Sequence, residues 1–116
     1  MTNPSKRDSA AKKVLAVARS IVTYEIGLPA GCVRMNRSLS WLKPYETGLP
    51  TVFEEYLREV QGLPITSERL QWDRSLLREK DKVLETTNQR FRGRIFQTCW
   101  ALIDRFAKDS TAGLNE

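Results

Sequence analysis

The chain has 116 residues, 41% of them apolar and 28% charged, with five prolines and six glycines, the size and composition of one domain with a core to bury and not of a disordered segment. It has no histidine and only two cysteines, which excludes Ser-His-Asp and Cys-His nucleophilic arrangements, histidine acid–base chemistry, and Cys/His or all-Cys zinc sites; neither a metal site nor a cofactor is expected. The formal charge of +5 is uneven, with eight Lys/Arg against two acids over residues 1–45, two against five over 46–72 and nine against seven over 73–116, so a basic first third precedes an acidic middle.

The first helix is expected from about Ser5 to Ile26. Ser5 and Asp8 have capping-box spacing, Val14, Ala18, Ile21, Val22 and Glu25 recur at three- and four-residue steps, and Gly27 is the expected stop. A second helix follows with Pro29 in its first turn and a stripe of Leu28, Cys32, Met35, Leu39 and Leu42, ended by Pro44. Thr51 and Glu54 form another capping-box pair before a third helix, whose apolar face is Val52, Phe53, Tyr56, Leu57 and Val60 and whose stops are Gly62 and Pro64. Residues 63–71 read as a connection held down by Ile65 and Leu70.

Asp73 suits the N-cap of a fourth helix, with Trp72 and Leu77 as a hydrophobic staple. Leu76, Val83, Leu84, Thr87, Phe91, Ile95, Cys99, Leu102, Ile103 and Phe106 carry this long helix to about Ala107, before a frayed tail from about 108. Gly93 in its interior points to a kink or to the close approach of another helix. The expectation is one all-α domain over residues 1–116, a bundle of three short helices packed on one long C-terminal helix.

No apolar run approaches the roughly 18 residues of a membrane span. Lys6 and Arg7 precede a charged amphipathic segment in place of a signal peptide's apolar core. Cys32 and Cys99 sit among apolar residues as small hydrophobes; a disulfide between them is left open, but the setting expected is reducing and cytoplasmic.

Arg90-Phe91-Arg92-Gly93-Arg94 interleaves cations with an aromatic ring, as some nucleic-acid-binding segments do. On a helix Phe91 turns inward while Arg90 and Arg94 share a solvated face. Glu25, placed on the apolar stripe, is a candidate general base; the plainer reading is a buried ion pair with Arg34, Arg37 or Arg105, of which Glu25–Arg34 is the pair expected. Arg34, Arg37, Trp41, Arg90 and Arg94 are the residue types of interaction hot spots and form the candidate partner-binding set.

Leu63-Pro64 through Arg69, Trp72, Leu76 and Lys80-Asp81, continuing to Cys99, Leu102, Ile103, Arg105 and Phe106, resembles a pattern in small uncharacterised bacterial all-helical proteins, and upstream Glu25-Ile26, Gly31-Cys32 and Arg34 resemble its first half. The chain departs from it at Gln61-Gly62, where the pattern has an acidic pair. The resemblance implies a helical fold and a bacterial cytoplasmic source, and no mechanism. The leading functional expectation is a non-catalytic protein-interaction module, self-association included. A nucleic-acid binder using the basic first two helices with Arg90, Arg92 and Arg94, and an enzyme built on Glu25 and a second carboxylate, are the alternatives.

Overall fold

The computed structural model describes residues 4–65, 69 and 71–114, with side chains over 6–65, 69 and 71–107. Four helices follow one another in the chain: α1 (Pro4–Val22), α2 (Leu28–Leu42), α3 (Val52–Glu59) and α4 (Arg74–Leu114). There is no strand among the described residues. α1 packs against both α2 and α4, α2 against α3, and α3 against α4, so the helices close a ring around one core. Each contributes the stripe its spacing predicts: Val14 and Ile21 from α1, Cys32, Met35 and Leu42 from α2, Phe53 and Tyr56 from α3, Ile95 and Cys99 from α4, all essentially without solvent contact.

α1 stops at Val22, short of the expected Ile26, and Gly27 is not its stop. The terminating residue is Tyr24, at φ 62°. The Glu25 amide donates to the Ser20 carbonyl (3.0 Å) and the Tyr24 amide to that of Ile21 (3.2 Å), the pair of bonds that closes a helix through one left-handed residue. Gly27 instead caps the start of α2 in an extended conformation, φ −69° and ψ 164°, with Pro29 in the first turn. Glu25 is thereby carried off the α1 stripe. It is exposed, and no ion pair joins it to Arg34 among the described residues, so the expected buried pair is absent and Glu25 is not a buried base.

Thr51 precedes α3 as expected, but its side chain makes no capping bond to the helix amides; its hydroxyl lies 3.5 Å from the Glu55 carboxylate instead. Gly62, at φ 87°, supplies the left-handed turn after α3. Asp73 caps α4 as its sequence predicts, accepting from the Ser75 amide at 2.8 Å. That amide, with the Ser75 hydroxyl, holds the Asp73 carboxyl below its ordinary range.

α4 continues past Ala107 to Leu114, since no proline or glycine interrupts the sequence before Gly113. The helix runs unbroken through Gly93, and no other described part of the chain approaches there: a Cβ built at Gly93 meets nothing within 4 Å. The close approach falls at Gly31, where a Cβ would lie 2.6 Å from Ile21 Cγ1, so this glycine sets the α1–α2 distance. From Arg74 to Thr86 no residue of α4 is buried. A 41-residue helix is about 61 Å long at 1.5 Å per residue, and its first turns project from the core, giving extents of 56 × 26 × 22 Å. The Ser5 side chain and Leu70, on which two expectations rest, lie outside the described residues.

Candidate interaction surface

Arg34, Arg37 and Trp41 occur at three- and four-residue steps along α2 and therefore share one side of it. All three are exposed, with Trp41 at 48%. Lys13 of α1 reaches across so that its Nζ stands 4.4 Å from the Trp41 ring centroid, a cation–π contact that pins the indole over the seam between the two helices. Neither Arg34 nor Arg37 has an ion-pair partner among the described residues. The seam presents one half-exposed aromatic ring held by Lys13, with two exposed arginines on the same side of α2.

Five arginines, Arg7, Arg69, Arg90, Arg94 and Arg105, are committed to acids, while Arg19, Arg58, Arg74, Arg78 and Arg92 are, like Arg34 and Arg37, exposed without an ion pair among the described residues. Arg90 donates to Glu59 at 2.9 Å and Arg94 to Glu55 at 3.1 Å, and both guanidinium groups also lie over the Phe91 ring, at 5.4 and 5.5 Å. These two candidates therefore belong to the α3–α4 seam, across the helix ring from Lys13 and Trp41. The structure brings Arg34, Arg37 and Trp41 together and places Arg90 and Arg94 elsewhere.

Glu46 was not anticipated as a site residue. Its carboxylate accepts from Arg7 Nε (2.8 Å) and from Arg105 (2.9 Å), while Arg105 also donates to the Thr47 carbonyl. One residue in the α2–α3 loop thus ties together the first turns of α1 and the C-terminal half of α4. Arg7 above all, with help from Arg105, holds this carboxyl below its ordinary range against the opposing effect of burial. Its partners lie 39 and 59 residues away, beyond the reach of any local sequence pattern. Arg69 does similar work for the connection after α3, pairing with both Asp81 oxygens (2.7 and 2.9 Å) and donating to the Pro64 carbonyl.

A groove of about 540 Å³ beside the start of α2 is lined in part by Arg69, Asp81, Asn88 and Arg92. There Arg69 and Asp81 satisfy each other, and Asn88 accepts from the Tyr56 hydroxyl at 2.5 Å. A second groove, of about 530 Å³, follows the loop between α2 and α3 and includes Glu46, already held by its two arginines. Cys32 and Cys99 are free and buried; burial pushes both thiols up to about 12, which keeps them protonated and unreactive at neutral pH. Among the described residues no group of three or more His, Cys, Asp or Glu is placed to hold a metal ion, and no helix is long and apolar enough to cross a membrane.

Fold and surface together define a four-helix protein with a basic-aromatic seam between α1 and α2. Comparison with protein-family models, with curated proteins and with solved structures finds no match. The functional reading accordingly rests on the seam itself.

Proposed function

We propose that the chain is a non-catalytic interaction module whose α1–α2 seam binds an acidic segment of a partner protein, in the bacterial cytoplasm. One observation carries the reading: Arg34 and Arg37, exposed and without an ion pair among the described residues, share a side of α2 with Trp41, whose half-exposed ring is held under Lys13 of α1. Tryptophan and arginine dominate the energetics of protein interfaces, and unpaired cations steer acidic partners. Buried reduced cysteines agree with the reducing compartment.

The nucleic-acid reading keeps the formal charge of +5 in its favour. The ion pairs of Arg90 and Arg94 remove two of the three cations it drew from α4. The enzyme reading has lost its residue, because Glu25 is exposed beyond the end of α1.

A fluorescence-anisotropy titration with a labelled glutamate-rich helical peptide, run beside single-stranded and duplex oligonucleotides, separates the two binding readings. The peptide is expected to bind, and Arg34→Glu/Arg37→Glu to abolish the binding while leaving Arg90→Glu/Arg94→Glu competent. Binding by oligonucleotides alone, or by neither probe, would overturn the proposal.

A further inference from the structure

The solvent side of α4 carries a second unpartnered stripe, independent of the α1–α2 seam. Lys82, Thr86, Gln89, Gly93, Gln97, Trp100 and Asp104 recur at three- and four-residue steps, and every one of them is exposed. They lie across the helix from the buried line of Phe91, Ile95, Cys99, Leu102 and Phe106. Between Thr86 and Trp100 the stripe is uncharged, unlike the solvated face of an ordinary helix. Arg90 and Arg94, which border it, are drawn off towards Glu59 and Glu55.

Two features of the stripe have no explanation within one chain. Gly93 sits in the interior of a long helix, where glycine costs about 1 kcal/mol relative to alanine, yet nothing within 4 Å of a Cβ there requires it. Trp100 leaves 55% of its surface in water. Both become intelligible when another helix crosses at Gly93, where the missing side chain admits close approach, with Trp100 laid along the contact.

The chemistry of the stripe selects that helix. A twofold interface must be complementary to itself. A twofold axis at Gly93 with the two helices antiparallel sets Gln89 of one copy opposite Gln97 of the other, Thr86 opposite Trp100, and Lys82 opposite Asp104. The amides pair as donor and acceptor, the indole covers a small side chain, and the only two charges of the stripe meet with opposite sign. Neither Lys82 nor Asp104 has an ion-pair partner of its own among the described residues. We propose that α4 docks on α4 of a second copy, antiparallel and crossing at Gly93.

From Lys82 to Asp104 the face is about 33 Å long. One helix face buries less than the roughly 800 Å² per partner of a standard interface, so the dimer is reversible and concentration-dependent. It leaves both α1–α2 seams open, giving a bivalent particle.

Sedimentation equilibrium from low micromolar to near-millimolar protein tests this. The weight-average mass should climb from 13.3 kDa towards twice that value. Gly93→Leu should hold the chain monomeric throughout while its helicity and melting temperature are kept or raised. Lys82→Asp and Asp104→Lys should each weaken association roughly tenfold, and the double exchange should restore it to within about threefold. A constant monomer mass overturns the proposal. So does a dimer indifferent to Gly93→Leu, or a double exchange that recovers nothing.

Discussion

Tyr24 is the one described non-glycine residue at positive φ, a conformation that costs an L side chain roughly 1–2 kcal/mol. The residue is 74% exposed and its ring leans on Phe96 with centroids 5.5 Å apart, so one residue both closes α1 and contacts α4. Tyr24→Ala loses the ring contact and keeps the strain, whereas Tyr24→Gly loses both. The glycine variant should therefore be the more stable of the two by about 1 kcal/mol in urea denaturation; equal stabilities would mean that the left-handed turn is not present in solution. Gly31→Ala drives a methyl against Ile21, which is 1% exposed and has no free volume to retreat into. A loss of about 1–3 kcal/mol is expected, read as a lower melting temperature.

Glu46 acts at the same scale through charge. Glu46→Gln keeps the shape but weakens two charge-assisted contacts, for an expected loss of about 1–2 kcal/mol at pH 7. A carboxyl whose folded value is depressed stabilises the fold above its unfolded value of about 4.3 and ceases to do so as pH falls through the lower folded value. The gap between wild type and Glu46→Gln should therefore be complete at pH 6–7 and close below about pH 4. A gap that persists at low pH would show that the carboxylate is not what the arginines hold.

Among the elements, α2 was the most legible, because Cys32, Met35, Leu39 and Leu42 repeat at helical spacing and all four are buried. α4 was legible in its core stripe and at its Asp73 cap, but its end was not, since the residues after Ala107 carry little apolar periodicity and the backbone simply continues to Leu114. The end of α1 misled for a physical reason. Glycine is the usual left-handed terminator, and two acceptable stops, Tyr24 and Gly27, stand three residues apart in this sequence. The same displacement turned Glu25 from a stripe residue into an exposed one. The connection after α3 is held by Arg69 and Asp81, 12 residues apart, with both side chains more than a third exposed. Asp81→Asn should thus cost little global stability but speed amide exchange selectively at Gln61, Gly62, Leu63, Ile65, Arg69, Gln71 and Trp72. Uniform acceleration across α3 and α4 would contradict a purely local role.

For the whole molecule, the partition of charge matters more than its total. The acidic middle of the chain is largely consumed internally: Glu46, Glu55 and Glu59 answer Arg7, Arg105, Arg94 and Arg90. Of the cations left outward without an ion pair among the described residues, Arg34 and Arg37 are the ones that share a helix side with the exposed Trp41 ring under Lys13. The sequence pointed to Arg34, Arg37 and Trp41 by residue type, but sorting them from Arg90 and Arg94 required contacts 31 and 39 residues long, and the Lys13–Trp41 contact depends on how two helices pack. The most direct measurement is a two-dimensional nitrogen–proton NMR titration with the glutamate-rich peptide. The largest shifts are expected at the Lys13, Arg34 and Arg37 amides and the Trp41 indole; shifts centred on the α3–α4 seam, or none, would contradict the assignment.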